Sequence, residues 1–211
     1  MELVWIGHSC FRLRGKEATV ITDPCPKSSG YALSGASADL VTISNDHPHH
    51  NAVDEVTGEP TVLDGPGEYE VRGVKVTGVR TDRPGSDGAR VRNTAYIIDV
   101  DDVRVCHLGD LANLPSSEQI ELMKDAHVLL VPVGGHCTIS APEAVEVISQ
   151  IEPKLVIPMH YATEVSSAEL EGVERFLHEM GLTSTERQAR LNVTPSSLPA
   201  EPTVALLEHR G

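Results

Sequence analysis

Apolar residues in the first half of the chain come in short bursts, Leu3–Ile6, Phe11–Leu13, Thr19–Thr22 and Asp39–Ser44, separated by stretches carrying Gly, Pro, Asp and Asn. Val, Ile, Thr, Leu and Phe dominate the bursts, which predicts strands. From Tyr69 to Val79 apolar and polar positions alternate, the pattern of a strand with one buried face. A polar loop, Arg80 to Asn93, separates this run from two further predicted strands, Thr94–Val100 and Val103–Cys106.

The pattern then changes period. Ser117–Asp125 is the first convincing helix, and strands and helices alternate after it. Val128–Val133 is continuously apolar, as expected of a strand covered on both faces. Ser140-Ala-Pro-Glu143 is a capping box with proline in the first turn, and Ala144, Val145, Val147, Ile148 and Ile151 follow at helical spacing. Leu155–Pro158 reads as another buried strand. A second box, Ser166-Ser-Ala-Glu169, predicts a helix beginning there, with Val173, Phe176 and Leu177 as its apolar stripe and Gly181 at its C-cap. Pro195–Pro202 is a loop before a last strand, Thr203–Leu207. A β-rich half followed by βα units predicts an α/β fold of two sheets packed face to face with helices outside.

Composition narrows the picture. At 211 residues and 40% apolar, the chain can bury a sizeable core without staples and is expected to form one domain over 1–211. Seventeen Lys and Arg against 31 Asp and Glu give a net charge of −14, which repels nucleic acid and anionic membrane surfaces. Neither is an expected partner; a small molecule is. The four cysteines, Cys10, Cys25, Cys106 and Cys137, form no CxxC pair, and the N-terminus carries neither a basic run nor a long apolar stretch. Reduced thiols and a cytoplasmic location are expected.

Candidate chemistry gathers at predicted strand ends, where loops usually carry sites. Ser44-Asn-Asp-His47-Pro-His49-His50 follows the fourth burst, with three histidines in four positions. Later strands lead into His107-Leu-Gly-Asp110, Pro132-Val-Gly-Gly-His136 and Pro158-Met-His160-Tyr161. A sheet brings loops at one edge together, and imidazole with carboxylate suits borderline divalent cations such as zinc. His8 and Asp23 are candidates to support such a site, though a turn explains either equally well. No cysteine has a defined base partner, which argues against a cysteine nucleophile.

These segments, with Gly7-His-Ser-Cys-Phe11, Thr22-Asp-Pro24, Gly65-Pro-Gly-Glu-Tyr-Glu70 and Arg92-Asn-Thr94, resemble the small metallo-β-lactamase-fold proteins called metal-dependent or zinc-dependent hydrolases, distant relatives of ascorbate-phosphate lactonases. The resemblance runs from about Leu3 to Tyr161 and implies a four-layer αββα sandwich with a metal centre at one edge. It implies His50, Asp110 and His160 as ligands of one metal position, with Asp110 also the catalytic carboxylate. The family loop reads His-x-His-x-Asp-His where this chain has Asn45, His47, His49 and His50, and the family's remaining histidine falls near Thr81 or Asp82. The expected ligands are therefore His47, His49, His50, Asp110 and His160 around one divalent cation, zinc before manganese or iron, with His49 as the fourth ligand beside His50, Asp110 and His160. His8, Asp23, Asn45, His107 and His136 are expected behind the ligands or against substrate; His107 also reads as a buried, hydrogen-bonded neighbour, and His136 as a replacement ligand. The activity implied is hydrolysis of a small ester, lactone or phosphoester, with a non-catalytic binding or regulatory protein as the alternative.

Overall fold

A computed structural model describes residues 1–85 and 89–210, so residues 86–88 of the polar loop lie outside the described residues. The early bursts become β1 (Glu2–Gly7), β2 (Cys10–Arg14), β3 (Thr19–Thr22), β4 (Leu40–Thr42) and the unforeseen β5 (Thr61–Leu63). The alternating run splits into β6 (Gly67–Val71) and β7 (Val74–Arg80). Arg72 and Gly73 both take positive φ, 47° and 76°, the requirement of a tight hairpin turn, and Val71 pairs with Val74. The expected single strand Tyr69–Val79 is thus a hairpin.

Within the polar loop, β8 (Arg83–Pro84) pairs with β9 (Arg90–Val91). Next come β10 (Thr94–Val100), β11 (Val103–His107), α1 (Ser117–Met123), β12 (Val128–Pro132), α2 (Ala141–Ile151) and β13 (Leu155–Met159). The capping box at Ser140 forms, its hydroxyl donating to Glu143 at 2.6 Å. The box at Ser166 does not. Helix α3 spans only Val173–Glu179 with Gly172 as its N-cap. Tertiary bonds hold the segment before it instead, with Ser167 N–H donating to Ser29 O and Glu171 N–H to Gly134 O. The expected last strand is also divided. After β14 (Arg187–Gln188) and β15 (Leu191–Asn192), β16 (Thr203–Val204) joins β13 while β17 (Leu206–Leu207) pairs with β14.

The two large sheets run β15-β1-β2-β3-β4-β5 and β16-β13-β12-β11-β10-β7-β6. In the first sheet, β1, β3 and β4 are buried on both faces. Leu3, Trp5, Val20 and Leu40 point into the main core, whereas Ile6, Ile21, Val41 and Ile43 join a second cluster with Cys10, Cys25, Tyr31 and Leu33. Helices α1 and α2 pack on the second sheet and α3 on α2. Over the first sheet the outer layer is made by the chain on either side of β4, which carries two single 3-10 turns, Lys27–Ser29 and Val53–Glu55, and packs Tyr31, Leu33 and Val56 on Ile21 and Val41. Among the described residues no helix is long and apolar enough to cross a membrane.

β1, β3 and β4 share one direction, as do β11, β12 and β13. Six strand ends from two sheets therefore open on one edge. That edge is where the candidate residues lie.

The core account predicts a contrast between two leucines. Leu130 is fully buried in β12, and Leu130→Ala should cost about 2–5 kcal/mol. Leu122 on α1 is 57% exposed, and Leu122→Ala should stay within about 0.5 kcal/mol. Urea unfolding of the two variants checks the ordering.

Candidate metal centre

Asp23 anchors the site from behind. It follows β3, is fully buried, and holds φ at 38°. Its Oδ1 accepts Ser44 N–H at 2.7 Å, and its Oδ2 accepts the Ser44 hydroxyl at 2.5 Å and His50 Nδ1 at 2.7 Å. Because a carboxylate only accepts, His50 Nδ1 carries the proton and Nε2 is turned toward the cavity. Burial alone would raise the Asp23 carboxyl, but the charges of His107 and His50 and these hydrogen bonds hold it below its usual range. His50 shows the complement: burial opposes its charge, and Asp23 with Asp110 raises it above the ordinary imidazole value.

His50 Nε2 lies 4.0 Å from Asp110 Oδ1, and His160 Nε2 lies 3.5 Å from the same oxygen. Asp110 sits after β11 on a sharp turn made by Gly109, whose φ is 62°. A Cβ there would fall 2.4 Å from Ser44 Cβ, so only glycine lets this loop press against the β4 loop. Asn93 locks the contact, its side chain accepting Asp110 N–H at 2.9 Å and donating to Leu108 O at 3.1 Å.

His8, expected only as a supporting residue, comes forward. Its ring centroid is 4.0 Å from that of His160 and 5.0 Å from that of His50, and one donor atom from each of the three lies within 4.8 Å of the others. The His8 carbonyl accepts His160 N–H at 3.0 Å, tying the β1 corner to the end of β13. Burial, reinforced by the neighbouring imidazoles, lowers His8 well below its ordinary value and takes His160 down to about 3. Both rings are therefore neutral near pH 7 and carry the lone pairs that ligation requires. His160 Nδ1 is buried without a hydrogen-bond partner. His8, His136 and His160 all hold positive φ, 52°, 56° and 53°, as Asp23 does, a concentration of left-handed residues of the kind found at functional sites.

His47, His49 and His136 line the same cavity of about 380 Å³, with Cys137, Ala168, Glu169 and Leu170 closing it. His47 is exposed and His49 half-buried, and their rings stand 5.0 Å apart at the rim. Asn45 turns away: its side-chain oxygen accepts His47 N–H at 2.8 Å and shapes the loop. His107 stands behind the cavity, fully buried, with Nε2 2.9 Å from Ser9 O. Larger clefts exist, about 470 Å³ beside β1 and about 620 Å³ at the opposite strand ends. Among the described residues, the donor groups that converge tightly enough for an ion lie in the histidine cavity.

Cys137 is the residue that sequence reasoning passed over. One donor atom each of Cys137, Asp110 and His160 lie within 4.8 Å of one another. The available signal was its place directly after Gly134-Gly-His136 at the end of an apolar strand.

The donor set fits a borderline divalent cation, since imidazoles outnumber carboxylates and the rings of His8 and His160 are neutral near pH 7. Comparison with known proteins agrees. A family profile described as the beta-lactamase superfamily domain matches residues 2–160. A UPF0173 protein of Pyrococcus abyssi is 30% identical over 200 residues, covering 84% of this chain and 90% of the relative. A UPF0173 metal-dependent hydrolase of Methanoculleus marisnigri is 30% identical over 220 residues, covering 91% and 94%. The crystal structure of a candidate Zn-dependent hydrolase of the metallo-β-lactamase superfamily from Thermotoga maritima superposes with a TM-score of 0.82 at 36% identity, covering 99% of each chain. The sandwich, the histidine-lined edge and these matches together make the chain a member of the metallo-β-lactamase superfamily, in its UPF0173 metal-dependent hydrolase family.

Proposed function

We propose that the protein is a hydrolase with one divalent cation per chain, held by His50, Asp110 and His160 with His8 as the fourth donor, and that it acts on a small ester, lactone or phosphoester. The observation that carries the reading is the convergence of His50 Nε2 and His160 Nε2 on Asp110 Oδ1, backed by His8. His8 takes the place expected of His49, which stands at the half-buried rim. When bound, such a cation supplies Lewis acidity toward water and toward a carbonyl or phosphoryl oxygen.

Two contacts favour one metal over two. Asn45 spends its side-chain oxygen on the His47 backbone. Thr81 is buried and accepts Asn93 Nδ2–H at 2.7 Å, so the position beside the second site is filled by a structural hydrogen bond. With Asn45 and Thr81 so engaged, two of the three histidines that would hold the family's other metal have no counterpart here, and His47 alone is kept at the cavity.

The remaining residues divide the work by depth. Asp23 fixes the ring plane and tautomer of His50. Asp110 places a carboxylate between the two deepest ligand nitrogens. His47, His49 and His136 give an otherwise acidic protein a rim of imidazoles, which accept or donate hydrogen bonds to a polar substrate. A cavity of about 380 Å³ suits a small molecule, not a polymer.

Elemental analysis of protein purified without chelator should find one metal per chain. His8→Ala should lower that content well below His49→Ala, while His178→Ala, remote from the cavity, leaves it unchanged. Equal retention by the His8 and His49 variants would return the fourth position to the rim, and two tightly held metals would sink the mononuclear reading.

Asp23→Asn should cost about 10–100-fold in metal affinity, because the amide no longer favours the Nδ1–H tautomer of His50. Competition against a chromophoric chelator measures the change, and an unaltered affinity would mean that Asp23 serves only to pin Ser44.

Activity is tested with a panel of activated esters, lactones and phosphoesters, each with and without chelator. Chelator-sensitive turnover of one class is the expected result. A metal-loaded protein that turns over none of them would leave a binding role in place of hydrolysis.

A further inference from the structure

Besides the four donors described above and the imidazoles of the rim, one thiol reaches the same cavity. Cys137 is exposed at its mouth, and its donor atom belongs to a compact set with those of Asp110 and His160. The placement is built by the backbone. Gly134 packs so tightly on the end of β13 that a Cβ there would meet His160 O at 2.2 Å and Tyr161 Cα at 3.0 Å. Only glycine lets the loop after β12 lie on the His160 peptide.

On its other side the loop is tied to the Asp110 turn, with Ile139 N–H donating to Leu111 O at 2.8 Å. Between these clamps Gly135 and His136 take φ of 63° and 56°, and Gly135 O accepts both Thr138 N–H at 3.0 Å and the Thr138 hydroxyl at 3.1 Å. Cys137 is thus carried by a short, doubly fastened turn suspended between the other two members of its set.

Resting on the metal reading above, we infer that Cys137 is a ligand of the same cation, approaching from the solvent side, and that the outer half of the site is thiophilic. His160 belongs to both donor sets, the buried one with His8 and His50 and the outer one with Asp110 and Cys137, so the two sets are faces of one site. Zinc can expand from four to five ligands, so a donor beyond the four is within the cation's coordination range. Ligation replaces the Cys137 S–H bond with a sulfur–metal bond and releases one proton to solvent. A sulfur donor biases the site toward zinc, cobalt and cadmium and away from manganese and magnesium. It also places a displaceable ligand in the path by which substrate enters.

Cobalt(II) reports this directly. The full-length protein loaded with cobalt should show, beside its visible ligand-field bands, a near-ultraviolet thiolate-to-cobalt charge-transfer band. Cys137→Ser and Cys137→Asp should both lose that band, the aspartate variant keeping its cobalt, with circular dichroism unchanged. A folded serine variant that loses the metal together with the band also supports ligation. Cobalt bound without the band, or a band surviving both substitutions, overturns the role of Cys137 and leaves the histidine and aspartate ligands standing. If the parent retains no cobalt, zinc or cadmium, the metal reading falls and this inference with it.

Discussion

A buried carboxylate must be compensated or it will take up a proton, and the organisation of this site follows from how Asp23 is compensated. Its two oxygens accept from the Ser44 backbone, the Ser44 hydroxyl and the His50 ring. The first two bonds bind the end of β3 to the end of β4 and set where the histidine loop departs. The third decides which nitrogen of His50 faces the cavity. One charge fully withdrawn from water thus governs loop position, ring orientation and proton placement, and the left-handed backbone at Asp23 is part of the cost of holding it there.

The second sheet is brought into register with this anchor by contacts that cross the sandwich. Thr94 N–H donates to Ser44 O at 2.9 Å, and the Tyr96 hydroxyl donates to Ile43 O at 3.0 Å. Asn93 holds the Asp110 turn, and Gly109 allows that turn to touch Ser44. The candidate ligand positions therefore inherit the rigidity of two sheets although each sits on a loop. This is the arrangement a metal site needs if its donors are to be preorganised.

Much of this was legible along the chain. Val128–Val133, Leu155–Pro158 and the box at Ser140 are consistent at the level of propensity, periodicity and capping, and they formed close to where the pattern put them. The run Tyr69–Val79 hid a turn because Arg72-Gly73 keeps apolar residues on both sides, although the step from Val71 to Val74 breaks the two-residue period. At Ser166 a correct local capping signal lost to backbone bonds with Ser29 and Gly134, partners distant in sequence. β5 is three residues long with Thr61 and Val62 exposed, too short to leave a period.

Within the site, His50, Asp110 and His160 were readable because strand ends and motif segments located them. The closeness of His8 to His160 depends on a chain reversal, and that of Cys137 to Asp110 and His160 on a glycine packing on that same peptide, neither of which a local pattern records. His47 and His49 drew attention by crowding, but crowding in sequence placed them at the rim. Side-chain depth is a tertiary quantity, and no local pattern encodes it.

The bond from His160 N–H to the His8 carbonyl joins residues separated by most of the protein. During synthesis the chain emerges from its N-terminus, so His8, Asp23 and the histidine loop are all present long before His160 exists. The donor set consequently closes only when β13 has docked beside β12 and the two sheets have met. Until then an early-bound ion would find isolated imidazoles of ordinary weak affinity, with no enclosing cage. In this architecture the candidate site could take a metal only after the fold is finished, the reverse of a small zinc module whose ion gathers the chain around itself.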